Sequence, residues 1–465
     1  MGDDSFRTEH DSLGSKDVPA GAYYGIQTCR AVDNFPITGV TIATFPHLIR
    51  ALALVKKAAA HANMELGILP QPTGQAISHA CDVLLDNQHH DEFVVDVFQG
   101  GAGTSTNMNA NEVIANLALE QMGFAKGDYA HCHPNDHVNL SQSTNDVYPT
   151  AVKIALYTRL DDLTGAMGQL KNAFELKEVE FSDVIKIGRT QLQDAVPMTL
   201  GQEFGAYAVM VGEDIRRIHE AKQLLREMNL GATAIGTGLN APAEYVDRVR
   251  LHLNRFGQLS FITSANLVEA TQDSGVFVQL SGVLKRFAIK LSKICNDLRL
   301  LSSGPRAGFN EINLPPMQPG SSIMPGKVNP VIPEVVNQIC FQVMGNDVTI
   351  SMAAEAGQLE LNVMEPVILF NLHRNIDLLT NGARALTRRC VSGITANRDI
   401  CRQYVERSVG LVTALNPVIG YERAAALAHE ALDTGRGIVE LVLEKGYMSR
   451  EELDQLLSPQ RMTGR

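Results

Sequence analysis

The sequence predicts a mostly α-helical protein built around a bundle of long helices. Three observations lead there. Apolar residues recur at alternating spacings of four and three through Leu156, Leu160, Leu163, Met167, Leu170 and Phe174. The same alternation returns in Phe204, Ala208, Val211, Ile215 and Ile218, and in Phe277, Leu280, Leu284, Phe287, Leu291, Ile294 and Leu298. Such a sustained period marks long helices packed at small crossing angles. Polar segments rich in Gly, Ser, Thr, Asn and Pro interrupt the runs, as breaks between helices would. One run alone would fit a single amphipathic surface helix; three in one region point to a bundle.

With 465 residues the chain exceeds one ordinary core. Residues 1–141 mix short helical patterns with loops and are expected to form an N-terminal domain. Residues 142–396 carry the long helices. From residue 397 the pattern breaks into short amphipathic pieces, punctuated by Asn416-Pro417 and Gly446, which predicts a small C-terminal helical domain over 397–465. The small residues of 201–208 suggest a second helix face buried against other subunits.

Composition narrows the function classes. A hydrophobic fraction of 45% with 20% charged residues fits a soluble globular protein. A net charge of −11 argues against nucleic-acid binding, and an anionic ligand would need local positive groups. The seven cysteines are scattered, odd in number and free of any C-x-x-C, as expected of reduced thiols in a cytoplasm. The polar start predicts no signal peptide, and no apolar run approaches a membrane span.

The segment Gly320-Ser321-Ser322-Ile323-Met324-Pro325-Gly326-Lys327-Val328-Asn329-Pro330 is the most informative in the chain. Proline limits helix and strand, while glycine lets backbone N–H groups approach a ligand. Two hydroxyls, an amide and one fixed cation then suit a carboxylate or phosphate. A phosphate-binding P-loop is excluded by count. Five residues separate Gly320 from Gly326 instead of four, and Val328 stands where a metal-binding hydroxyl belongs.

Three further polar segments stand out. Residues 100–109 combine glycines, hydroxyls and asparagines ahead of a helical pattern, a combination that favours an anion at a helix start but is also common in turns. Residues 133–145 run from His133 and His137 into Ser141, Ser143, Thr144 and Asn145. Zinc at His131, Cys132, His133 and His137 is set aside, because no second ligand pair follows at a zinc-type spacing. The dense hydroxyls suit a small polar ligand, or an elaborate helix cap near Val147. Residues 188–197, like the 320–330 loop, fall at a break between bundle helices.

Together these four segments resemble the aspartase/fumarase superfamily of lyases, from Asp11 to the Arg398-Asp399-Ile400 region and more loosely beyond. Ala102, Thr104-Ser105, the 230–240 and 300–308 stretches, and Asn362 to Pro366 are similar to the ammonia-lyase branch. The resemblance implies a mostly α, three-domain subunit with a central helix bundle, in a homotetramer whose active sites are each shared by three subunits.

It also implies a reaction: L-aspartate to fumarate and ammonia by anti elimination, through an enediolate. Donors prearranged around the carboxylate that takes up charge do most of such catalysis. The resemblance places Thr104, Ser143, Thr144 and Ser322 there, Lys327 and Asn329 on the other carboxylate, and Thr190, Asn145 and Gln191 near the amino group. Ser321 is the implied base, its alkoxide stabilised by loop N–H groups and Lys327. Gln191 stands where most of the superfamily has a histidine paired with a glutamate, here Glu334. Glutamine cannot transfer a proton, so Gln191 suits departure of ammonia better than of hydroxide, and Glu334 is not assigned to catalysis. The competing readings are a class II-type fumarase, a lyase acting on a related methylated or substituted aspartate, and a non-catalytic structural paralogue of the kind known among lens crystallins. No cofactor is required; activation by a divalent metal such as magnesium, and a second anion site near His133–His137, stay open on the sequence.

Overall fold

The computed structural model describes residues 5–458 and Arg461; residues 1–4, where the polar start begins, and the remaining carboxy-terminal residues lie outside the described residues. Helices dominate. Five are long: Thr144–Glu180, Leu200–Leu224, Gly275–Leu301, Val331–Glu355 and Glu365–Arg389. The first three contain the apolar stripes read from the sequence, and every stripe residue is buried except half-buried Ile215. Val331–Glu355 escaped notice because apolar residues surround it: Val336, Cys340, Val343 and Ile350 are buried while Phe341, Val348 and Met352 are exposed. Glu365–Arg389 does carry a buried stripe, Ile368, Leu372, Ile376, Leu379, Ala383 and Leu386, which the sequence reading passed over.

The chain divides into two compact units, and the division falls within the long helices. One unit comprises Met1–Leu163, Arg217–Lys285 and Val343–Asp377. It opens on an antiparallel hairpin, Phe6–Asp11 with Gly14–Pro19. Helices Gln71–Leu85 and Tyr245–Gly257 pack on Pro46–Glu65, and Thr104–Gln121 packs on Gln71–Leu85. Buried Glu112 ties this unit together. Its carboxylate accepts hydrogen bonds from the N–H of Gly25 (2.8 Å), Gln27 (2.8 Å) and Thr28 (3.1 Å) and from the Thr28 hydroxyl (2.6 Å). These groups start the helix Ile26–Asn34, where a negative charge is favourable. Parts of the long helices meet here through polar pairs. Asn346 donates to Asn375 (2.7 Å), and Ser281 and Lys285 both reach Asp347 (2.7 and 2.5 Å).

The other unit comprises Thr164–Arg216, Arg286–Gln342 and Leu378–Arg465. Phe174, Phe204 and Tyr207 form one aromatic cluster. Gly201 and Gly205 let their helix approach Glu178 closely: a Cβ at Gly201 would sit 2.4 Å from the Glu178 carbonyl oxygen. Gly201 and Gly205 therefore serve close packing within the chain, while Ala206 is exposed. A β-hairpin, Ile185–Thr190 with Gln193–Thr199, fills what the sequence showed only as a break. Its turn residues Gln191 and Leu192 both have positive φ (54° and 60°), without the Asn-Gly or Asp-Gly pair that would have signalled such a turn. Ile187 from the hairpin joins a core made by Leu411, Leu415, Leu427, Leu441 and Leu453. Those leucines come from short helices, among them Val412–Ile419, Tyr421–Thr434, Ile438–Glu444 and Arg450–Leu456.

Candidate active site

The sequence-predicted residues fall into two sets. Thr104, Ser143, Thr144 and Asn145 belong to the first unit; Thr190, Gln191, Ser321, Ser322, Lys327 and Asn329 belong to the second.

In the first unit, Thr104 begins its helix after three residues with positive φ, Gly101, Ala102 and Gly103. Its exposed hydroxyl and its N–H both donate to the Gly101 carbonyl (2.7 and 2.9 Å). Gly103 has no room for a side chain, since a Cβ would lie 2.5 Å from the Tyr148 ring. Gln99 satisfies the next turn by accepting from the N–H and hydroxyl of Thr106 (both 2.9 Å). Three residues after Thr104, Asn107 donates to the Thr144 hydroxyl (3.1 Å), which brings the 100–109 and 139–146 segments together. Asn139 is the second link. Its side-chain oxygen accepts from Lys56 (2.8 Å), Asn107 and Asn111 (both 3.1 Å).

Asp146 fixes the 143–146 turn. Its carboxylate accepts from the N–H groups of Ser143, Gly231 and Thr233, each at 3.0 Å. Burial pushes the Asp146 carboxyl up to about 6, against the pull of those donors. Burial also drives the Lys56 ammonium down to about 7, with Asp146 opposing. Asn145 donates to the Ala234 carbonyl (2.7 Å), so part of its amide is already committed. Lys56, Asn107, Asn139 and Asp146 were not assigned roles from the sequence. One signal was available: a lysine within the apolar helical run 51–60.

His133 and His137 use their Nδ1 atoms locally. His137 accepts from the His133 N–H (2.8 Å), and His133 accepts from the N–H of Asn135 (3.1 Å) and Asp136 (3.2 Å). His131 stacks on Phe124 at 3.7 Å. No group of three metal-ligating side chains occurs among the described residues.

In the second unit, Thr190 and Gln191 sit exposed at the hairpin tip. The 320–330 loop is closed by the Gly320 N–H on the Lys327 carbonyl (2.7 Å) and by the Asn329 amide on the Gly320 carbonyl (2.8 Å). That second bond commits an Asn329 donor to the loop itself. Gly326 turns the chain with φ at 84°. The Ser321 Oγ accepts from the N–H of Ile323 (3.2 Å) and Met324 (3.1 Å). Two donors aimed at one hydroxyl oxygen favour negative charge on it. Ser322 and Lys327 are exposed, and Glu334 is half-buried in the first turn of Val331–Glu355. Two clefts share Gly326, Lys327 and Val328. One, about 470 Å³, also touches Arg299, Asn313 and Asn329; the other, about 410 Å³, touches Ser321 and Met324.

Residues 14–345 match the family described as Lyase, and residues 411–464 match the family described as Fumarase C C-terminus. The aspartate ammonia-lyase of Helicobacter pylori is 58% identical over 98% of this chain and 97% of its own length. That of Pseudomonas fluorescens is 59% identical over 98% and 96%. Among solved structures, a fumarate lyase:delta crystallin from Brucella melitensis bound to cobalt superposes with a TM-score of 0.96 at 56% identity, covering 98% of this chain and 99% of that one. The recombinant class II fumarase from Schistosoma mansoni gives 0.92 at 38% identity, covering 98% and 99%.

Proposed function

The chain belongs to the aspartase/fumarase superfamily of lyases, and on that premise we propose that it acts as an aspartate ammonia-lyase. It is a carbon–nitrogen lyase, with the mostly α architecture of its structural neighbours. L-Aspartate gives fumarate and ammonia, and the reverse reaction adds ammonia to fumarate.

The proposed chemistry starts with proton abstraction from the carbon beside one carboxylate. Ser321 is the base. The observation that carries this assignment is the pair of N–H donors on its Oγ, which makes an alkoxide less unfavourable. Charge then moves into the carboxylate as an enediolate, and the hydroxyls of Thr104, Ser143, Thr144 and Ser322 are proposed to receive it. Lys327 and Asn329 hold the other carboxylate. Thr190, Asn145 and Gln191 surround the amino group, which departs as neutral ammonia. Hydroxide would need an acid at Gln191, and an amide supplies none.

The proposed assembly is a homotetramer with each active site shared by three subunits. Exposed apolar residues on the long helices support it: Leu176, Val209, Phe341 and Met352 expose 59–71% of their surfaces in the isolated chain. The three-domain division at 141 and 396 is part of the same proposal. No helix among the described residues is long and apolar enough to cross a membrane; the proposed location is the cytoplasm. The family demands no cofactor, and magnesium is proposed at most as an activator.

One assay tests the reading. Purified protein should form fumarate from L-aspartate, followed by fumarate's ultraviolet absorbance, with little or no turnover of L-malate. Comparable rates on both substrates would replace the reading with fumarase, and inactivity on both would favour a structural paralogue.

A further inference from the structure

We propose that Glu311 and Arg189 form a positioning clamp, which fixes the direction of the Thr190–Gln191 turn from its root. The inference rests on the aspartate ammonia-lyase reading.

The hairpin is built unevenly. Its base is buried at Ile187, and Gly188 leaves no space, since a Cβ there would meet the Val196 carbonyl oxygen at 2.9 Å. Its tip, from Thr190 to Gln193, is exposed and, among the described residues, makes no hydrogen bond that would hold it to another segment. Arg189 stands between base and tip, just after a register shift in the strand pairing. Bulges of this kind re-aim a side chain. Here the guanidinium reaches the Glu311 carboxylate at 2.5 Å and lies 4.3 Å from the Phe309 ring centroid.

Glu311 is fully buried and pinned on both sides. Its N–H donates to the Leu301 carbonyl at the end of a long helix, and its carbonyl accepts from the Asn397 N–H, both at 2.9 Å. Its second carboxylate oxygen lies 3.2 Å from the Lys186 ammonium, which also meets Glu203 at 2.6 Å. Two cations and two anions therefore balance at the root of the tip. A buried ion pair is weak evidence of stability, since apolar residues can serve as well. What it supplies is direction: a planar guanidinium bonded to a buried carboxylate and lying over a ring accepts few geometries. The clamp thus directs the turn proposed to face the substrate amine, without touching substrate.

The test uses Glu311→Gln and Arg189→Lys in the full-length protein, with kcat and KM for aspartate, the inhibition constant of succinate and the thermal melt. Succinate has both carboxylates and no amino group. For each folded variant, kcat/KM for aspartate should fall about 10-fold to 100-fold, the scale of a misplaced reacting group, while succinate inhibition stays within about threefold. A merely structural pair would lower the melt and leave the constants of the folded fraction unchanged. Should Glu311→Gln fail to fold, Arg189→Lys keeps the charge while losing the fork, and gives the same readout. Folded variants with near-wild-type kcat/KM, or a parallel loss of succinate binding, overturn the clamp. A wild type inert towards aspartate would overturn the functional reading, and the clamp with it.

Discussion

Replacing Ser321, the proposed base, by alanine should separate chemistry from folding in this chain. The hydroxyl accepts two N–H groups, from Ile323 at 3.2 Å and Met324 at 3.1 Å, and these lie on an exposed loop. Water can take over both donors once the hydroxyl is gone, so stability should change by no more than about 0.5 kcal/mol. Turnover is another matter. Removing a positioned base costs about 10²- to 10⁴-fold, equivalent to roughly 2.7–5.4 kcal/mol of activation free energy at 1.36 kcal/mol per decade. Fumarate absorbance gives kcat, a thermal melt gives the folded fraction, and succinate inhibition reports the carboxylate contacts. The expected result is a folded protein with near-normal succinate binding and turnover reduced at least about 100-fold. Retention of more than about a tenth of wild-type kcat would rule Ser321 out as the base. A collapse of succinate binding would show that the loop, not the base, had been damaged.

Other outcomes follow from neighbouring features. Lys327→Ala removes the cation of the signature loop and should weaken aspartate and succinate together; unchanged succinate inhibition would refute the carboxylate contact. Gly103→Ala should destabilise by about 2–4 kcal/mol, from overpacking against Tyr148 and a positive φ of 89°, and an unchanged melting temperature would disprove that packing. Burial raises the Glu365 carboxyl to about 8, with Lys153 opposing. A raised acid contributes stability that is complete below its unfolded value and lost as pH climbs towards 8. Glu365→Gln should therefore gain stability relative to wild type between about pH 5 and pH 8, as read by paired melts; a pH-independent difference would contradict the burial of that charge. Lys56 has the opposite sign, its burial favouring the folded state as pH rises beyond about 7, so only the variant-minus-wild-type difference isolates Glu365.

The helical class was legible because burial of one stripe imposes a period on the sequence. The stripe from Leu156 to Phe174 could be read without any partner in view, and all six of its residues are buried. The helix Val331–Glu355 could not, because its apolar residues run around it and erase the period. The β-hairpin at 185–199 was hidden for a related reason: Gln191 and Leu192 adopt positive φ in a turn held by its neighbours, with no local residue preference to announce it.

The candidate site divides in the same way. Ser321, Lys327 and the glycines around them are contiguous, so their chemistry is written in one segment of sequence. Gln191 likewise states on its own that no proton donor stands at that position. The supports are not contiguous. Lys56 and Asn139 are separated by more than eighty residues yet meet at 2.8 Å, and Glu311 reaches Arg189 across a gap longer still. Residue type and spacing specify what a short loop can donate or bind, because its groups share one backbone. Which distant side chain is buried beside it depends on packing of elements whose pairing no local pattern encodes. The sequence alone therefore determined the helical class, and it carries the chemistry proposed for Ser321, Lys327 and Gln191. Only the tertiary structure decided that Asp146 and Lys56 brace one set of hydroxyls, and that Glu311 braces the turn bearing Thr190.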